Sequence, residues 1–183
     1  LWEGLLVEMF NGMTGRMAPE ISATLIPVAD VVSNPAYQRF PSPDDANSSR
    51  FVRHSYGGLR DLDAVSFASM FQDASGPFGA AHVDNLLRAL NVDGLVVAEL
   101  ALAMPDDEFS LTPTMTFRIF APQADPMQPA NAPSYLDVTV TGEGREVTNE
   151  MLNDPAALAR FLPTAVNLEA LLDAFDQAVA AAA

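Results

Sequence analysis

Histidine and cysteine offer little chemistry in this 183-residue sequence, which has two histidines and no cysteine, and its 24 acidic residues are too many to single out a catalytic pair. His54 lies beside Ser55 and could be the base of a Ser/His/Asp set, since such triads are defined by their arrangement in space and not by chain order. No G-x-S-x-G motif marks a serine nucleophile. His82 stands one residue before an apolar helical stripe, which predicts a position at a helix surface. We therefore assign no catalytic residue and keep His54 as the alternative candidate.

Metal and nucleotide sites have little support in the sequence. The two histidines do not have the spacing of metal ligands, and a chain without lysine cannot form a Walker-type phosphate loop. The segment Gly142-Glu143-Gly144-Arg145 resembles half of a dinucleotide-binding fingerprint, but it has no third glycine and its acidic residue would repel a pyrophosphate. We interpret it as a turn at the end of a strand. No metal and no cofactor are expected.

The charge of the chain limits the classes of partner. Asp and Glu number 24 against 9 basic residues, a net charge of −15, and every basic residue is an arginine. Phosphate backbones and anionic lipids bind clusters of Lys and Arg, so a nucleic-acid partner is not expected. The acidity fits a protein that faces salty water, or a GC-rich coding bias, and points to no substrate.

An amphipathic helix is the first predicted element. Its apolar residues recur at helical spacing and would bury one face: Leu1, Trp2, Leu5, Leu6, Met9, Phe10 and Met13. Gly12, Gly15 and Pro19 mark where this helix weakens and stops. Residues 23–32 are then predicted to form a short strand followed by a turn or a helical start, which Asn34-Pro35 ends.

A sheet is predicted in the second half of the chain. A helix that stops at Asn91 and Gly94 leads into three strands, residues 95–104, 114–120 and 135–141. Strand alternation places one apolar set on a common side that helices should cover: Val96, Ala98, Leu100, Leu102, Met115, Phe117, Ile119, Leu136, Val138 and Val140. The predicted fold class is α/β (α+β): a mainly antiparallel sheet that ends in a three-stranded meander, with helices packed on one face.

The predicted organisation is a single domain over residues 1–183. Surface loops are expected at residues 41–50 and 121–134, and helices from residue 155 to residue 183. Asp154 before Pro155 is a typical cap and first-turn pair, whereas Pro163 should interrupt or kink the helix.

The other side of the three strands carries a predicted ladder of charges, Glu99, Arg118 and Asp137. Pairing Arg118 with Asp137 also pairs Phe120 with Tyr135, which closes the connecting loop well. A solvated ladder of this kind contributes about 0.2–1 kcal/mol per pair. The functional interpretation is a polar patch that meets a partner protein or another subunit.

Three segments resemble those of uncharacterised bacterial envelope proteins, which are often lipoproteins. They are Val31 to Tyr37 (VVSNPAY), Tyr56 to Leu62 (YGGLRDL) and His82 to Leu100 (HVDNLLRALNVDGLVVAEL). The chain is similar to the α/β module of the amino-terminal domain of TolB and of the lipoprotein CsgG. Such proteins place a strand before the first helix and carry a lipid-bearing cysteine, so residues upstream of Leu1 are expected to have been removed. The resemblance implies no catalytic residue.

These observations predict a non-enzymatic protein that works through protein contacts, with a protein partner or a second copy. The resemblance implies a secreted or lipid-anchored protein of the bacterial envelope, periplasmic or associated with the outer membrane, with an upstream signal peptide or lipid anchor. No window of the sequence reaches the roughly 18 to 20 apolar residues that span a bilayer, so the chain itself should not insert. Two alternatives stay open: a small periplasmic hydrolase that uses His54, and a carrier of an apolar ligand bound among Met9, Met13, Met17 and Met115.

Overall fold

A computed structural model describes residues 2–20, 22–39, 56–59, 85–104, 109–122 and 134–182. The helices are α1 (Trp2–Glu20), α2 (Val28–Ser33), a 3-10 helix (Tyr37–Arg39), α3 (residues 85–90), α4 (Asn149–Asn153), α5 (Pro155–Val166) and α6 (Leu168–Ala182). The strands are β1 (Leu95–Ala103), β2 (Ser110–Phe120), β3 (Ser134–Thr141) and β4 (Arg145–Glu146). The predicted loop at 41–50 and nearly all of the one at 121–134 lie outside the described residues.

The four strands form one sheet in the order β1-β2-β3, with β4 also paired to β2. The predicted α/β class with a mainly antiparallel meander is therefore confirmed. By its internal contacts the chain divides into two compact units. Unit 1 comprises residues 1–23, 98–117 and 138–183, and unit 2 comprises residues 24–97 and 118–137. Each of β1, β2 and β3 contributes to both units, and the single domain over 1–183 stays a prediction.

Side-chain pairs across β2 and β3 have the predicted register. The hydroxyl oxygens of Thr116 and Thr139 lie 3.3 Å apart, and those of Thr114 and Thr141 lie 3.4 Å apart. Both pairs follow from the register that joins Arg118 to Asp137. Hydroxyl pairs of this kind between neighbouring strands stabilise a sheet modestly, so here they support the register that the sequence indicated.

A β-bulge joins β3 to β4, where a strand-end turn was predicted. The backbone N–H of Gly142 donates to the carbonyl of Pro113 at 2.8 Å, and Arg145 pairs with Leu111. Two residues of the outer chain therefore oppose one residue of β2, which defines a bulge. Proline has no N–H for the ladder and is tolerated in a central strand mainly at such irregularities. The predicted strand end is correct, since β3 ends at Thr141, but the predicted turn is wrong, because the chain continues along β2 and resumes its pairing at Arg145 after one extra residue.

The core of unit 1 lies between helices and the inner side chains of β2. The rings of Phe117 and Phe175 meet edge to face with centroids 5.3 Å apart, an arrangement that favours aromatic pairs. The predicted stripe of α1 is buried at Leu5, Met9 and Met13. Further buried residues complete this core: Met115, Val138, Val140, Val147, Leu162, Ala165, Val166, Leu168, Leu171, Leu172 and Val179.

Helix α1 packs closely against α6. Gly12 makes this approach possible, because a Cβ atom there would overlap the Cδ1 methyl of Leu172. Nearer the end of α1, one guanidinium nitrogen of Arg16 lies 2.8 Å from carboxylate oxygens of both Asp173 and Asp176. These hydrogen bonds, first that to Asp173 and then that to Asp176, raise the pKa of Arg16. The helix continues to Glu20, past the glycines at which it was expected to weaken.

A second core lies within unit 2. It is a cluster of buried residues, Tyr37, Leu86, Leu87 and Phe120, with partly buried residues packed against it: Val31, Val32, Ala36, Leu59, Leu90, Val92, Leu95 and Val97. Val96, which alternation placed on the helix-covered side, is instead 36% exposed. Its neighbours Leu95 and Val97 pack against the cluster, so strand alternation places Val96 on the other side of β1, and the predicted side was wrong at this residue.

The strand predicted near residue 23 is wrong. Residues 23–27 are described and lie outside the sheet. Pro27 occupies the N-cap position, immediately before the first residue of α2. The helical start was correct, since α2 follows at once and ends where the Asn34-Pro35 break was expected. Proline fixes its own φ angle and favours an extended conformation in the residue before it. An apolar segment that ends in proline can therefore be extended without pairing to another strand.

The helices near the carboxyl end begin as the sequence indicated. A carboxylate oxygen of Asp154 accepts from the backbone N–H of Ala156 at 2.9 Å, and Pro155 is the first helical residue of α5. Pro163 does not end the helix, which continues to Val166. The interruption falls at Asn167, whose φ of 43° lies in the left-handed region that asparagine tolerates better than most residues.

Substitution of the two glycines of α1 tests the packing of α1 on α6. Gly15→Ala should raise the free energy of unfolding by about 0.5–1 kcal/mol, because alanine favours helix and nothing lies within 4 Å of the added methyl. Gly12→Ala should lose this gain, since Leu172 must shift. Urea unfolding followed by circular dichroism measures both variants. Equal stabilisation by the two would contradict the close approach at Gly12.

Candidate functional site

Two members of the predicted charge ladder meet on neighbouring strands. Arg118 of β2 and Asp137 of β3 lie opposite each other, with 2.9 Å between Nε and Oδ2. The side chain of Arg118 is 26% exposed and that of Asp137 is 47% exposed. Both belong to unit 2. The pair is therefore accessible to a partner while one side of the arginine is sheltered by the protein.

The contact between these charges is an ion pair without a well-directed hydrogen bond. Nε of Arg118 is buried and makes no hydrogen bond within the described part of the chain, although Oδ2 of Asp137 is close. The N–H bond therefore does not point at the carboxylate oxygen. A buried donor that lacks an acceptor costs free energy that a satisfied one would not. A carboxylate or carbonyl oxygen from another molecule could accept a hydrogen bond from this N–H group only if a small rotation of the guanidinium turned the group toward solvent.

Glu99, the third predicted member of the ladder, is half-buried in β1. Its pairing with Arg118 stays a prediction. The confirmed part of the ladder is thus the ion pair between β2 and β3.

Tyr135 is a surface residue that sequence reasoning did not place in the site. It precedes Asp137 by two residues on β3, so the two side chains leave the strand on the same side. The residue is 64% exposed. The ring passes close to Gly94, where an added Cβ would lie 3.7 Å from Cε2 of the tyrosine. The sequence offered one signal for it, an aromatic residue at the start of a strand otherwise lined by Thr and Asp. We call Arg118, Asp137 and Tyr135 the Arg-Asp-Tyr patch.

The residues considered for catalysis and ligand binding have mixed outcomes. His54 and His82 lie outside the described residues, so the hydrolase alternative stays a prediction. Among the residues that the structure describes, no group of three or more His, Asp or Glu side chains is placed to hold a metal ion. Of the four methionines suggested for an apolar ligand, Met9, Met13 and Met115 are almost wholly buried in the core of unit 1, and the side chain of Met17 lies outside the described ones. The carrier alternative stays a prediction.

Comparisons of the chain with models of protein families, with curated proteins and with solved structures found no match. The resemblance to envelope lipoproteins therefore rests on the sequence segments alone. In the structure those segments supply much of the unit 2 cluster, including Val31, Tyr37, Leu59 and Leu86. They are packing residues, and the Arg-Asp-Tyr patch shares none of them.

The strength of the ion pair can be measured with a double-mutant cycle of Arg118→Ala and Asp137→Ala. Because both side chains are partly exposed, we expect a coupling free energy of about 0.2–1 kcal/mol in chemical unfolding. The matched control is Glu143 with Arg145, an ion pair of 2.9 Å whose side chains are 78% and 45% exposed, and its coupling should be smaller. Coupling at the control that equals or exceeds coupling at Arg118 would contradict this ranking.

Proposed function

We propose that this chain is a non-enzymatic, secreted or lipid-anchored protein of the bacterial envelope that acts through protein contacts at the Arg-Asp-Tyr patch. The observation that carries the contact surface is the 64% exposure of Tyr135 beside an accessible ion pair. The envelope assignment is supported by the resemblance of the three sequence segments to envelope lipoproteins.

The composition of the patch favours a protein partner. Tyrosine and arginine are the side chains most often responsible for binding energy at protein interfaces. A tyrosine offers a large apolar ring with a polar hydroxyl, and it loses little conformational freedom when it is covered. Asp137 holds the arginine near the strand by charge attraction, which reduces the freedom that Arg118 would lose on binding. The patch therefore presents a partly ordered polar pair next to an uncovered aromatic ring.

A partner of this patch should supply a pocket or flat apolar surface for Tyr135 and an oxygen acceptor for Arg118. Such a partner need not be basic, although the net charge of −15 disfavours a strongly acidic one. None of the described helices has the length and apolarity needed to cross a bilayer.

Photo-crosslinking in the source cells tests this function. A benzophenone-bearing phenylalanine replaces Tyr135 in one variant and Phe109 in another, the second being an aromatic residue of unit 1 that is 58% exposed. We expect a discrete adduct with a single partner from position 135, found in the envelope fraction and lost on Arg118→Ala. Position 109 should give no such adduct.

Three results would overturn the proposal. Adducts of equal yield at positions 135 and 109 would show that exposure alone determines crosslinking. An adduct that survives both Arg118→Ala and Asp137→Ala would remove the ion pair from the contact. Fractionation that finds the protein with cytosolic markers would remove the envelope assignment while leaving the contact surface standing.

A further inference from the structure

The two outer edges of the sheet differ in how they are protected against pairing with another strand. Among the described residues, β1 pairs with β2 only and forms one edge, and β3 with β4 forms the other. The β3–β4 edge is broken by the bulge and carries the ion pair of Glu143 with Arg145. Bulges and charges are the devices by which proteins keep an edge from pairing.

Among the described residues, the β1 edge has no bulge and only one charge. Its nine residues, LVVAELALA, include no proline, no glycine and no basic residue, and Glu99 is the single charged side chain. It is longer than a typical strand of about 5–6 residues. A long, regular, apolar edge strand is a template for pairing with another strand.

We infer that two copies of this chain associate through β1, which pairs antiparallel with the β1 of the second copy about a two-fold axis at Leu100. The two sheets then become one continuous sheet. The backbone N–H and C=O groups along the outer side of β1 hydrogen-bond to those of the second copy, as in strand addition at a sheet edge.

Self-complementarity of the strand is what selects a second copy. An axis at Leu100 places Val96 opposite Met104 of the second copy, and Ala98 opposite Leu102. Val96 is 36% exposed and Met104, one residue beyond the end of β1, is 43% exposed, so extending the pairing to Met104 covers a large apolar side chain on each copy. On this side of the strand every residue from Val96 to Met104 then has an apolar cross-strand neighbour, and the same patch meets itself, as an interface with two-fold symmetry requires.

The charge on β1 excludes the neighbouring register. An axis at Glu99 would place the two Glu99 carboxylates opposite each other, and like charges in directly opposed positions destabilise a sheet. With the axis at Leu100, each Glu99 faces Ala101 of the second copy. The like charges of the two copies still oppose association, so the dimer should be favoured by salt.

The first experiment measures mass in solution by analytical ultracentrifugation. We expect a species of twice 19.5 kDa. Its dissociation constant should decrease when the NaCl concentration is raised from about 0.15 M to about 1 M, because salt screens the repulsion between the two copies. Val96→Asp should raise the dissociation constant at least about tenfold. Adding Met104→Arg in the same chain should restore association, because the two side chains are opposed across the axis. Both residues are exposed, so the variants should remain folded by circular dichroism.

The second experiment fixes the register, and the lack of native cysteine makes it direct. Leu100→Cys should form a disulfide-linked dimer on mild oxidation, because opposed Cβ atoms of paired strands lie about 4.5–5.5 Å apart. Ala98→Cys and Leu102→Cys should crosslink only when mixed with each other. Thr139→Cys, at an exposed position on β3, is the control that should stay monomeric.

A monomer at every concentration and salt level, together with no Leu100→Cys dimer, would overturn the inference. A disulfide dimer of Glu99→Cys in preference to Leu100→Cys would overturn the register. These outcomes are separate from those of the proposed function, since neither experiment involves Arg118 or Tyr135.

Discussion

The other three described strands all pair directly with β2, and the alternation of side chains along β2 is the constraint on which the rest of the structure depends. Met115, Phe117 and Ile119 are 1%, 1% and 8% exposed, and polar residues stand between them. A slip of one residue would turn all three apolar side chains to the opposite face of the sheet. The pairing register is therefore fixed by burial. The hydroxyl pairs of Thr116 with Thr139 and of Thr114 with Thr141 are a consequence of this register.

The meander could be predicted because several independent signals agreed on it. Strand alternation, the opposite charges of Arg118 and Asp137, and a loop of workable length all gave one register, and the cap at Asp154 was similarly local. The bulge could not be predicted, because a single inserted residue leaves no periodic signal and Gly142-Glu143-Gly144 is equally typical of a turn. Residues 23–27 show the converse problem: an apolar composition permits a strand, but pairing depends on neighbours that the segment itself does not specify.

The candidate site was predictable to the same extent and for the same reason. Opposite charges on adjacent strands identify Arg118 and Asp137, since side chains on one face must meet their cross-strand neighbours. Tyr135 was not identified, because residue type does not encode exposure: Tyr37 of the same chain is 4% exposed, and Tyr135 is 64% exposed. The difference arises from position, since Tyr37 lies in the unit 2 cluster and Tyr135 stands at the start of an outer strand.

The segments that resemble envelope lipoproteins supply core residues, and they do not identify a surface that contacts a partner. Tyr37, Leu86 and Leu87 belong to the segments that carry it, and each is buried in the unit 2 cluster. Buried residues are selected for volume and apolarity, which unrelated functions can share. A contact surface must instead use side chains that neither core has taken, and the Arg-Asp-Tyr patch meets this condition. The proposed cellular location and the proposed contact surface therefore rest on separate sets of residues, so evidence against one leaves the other intact.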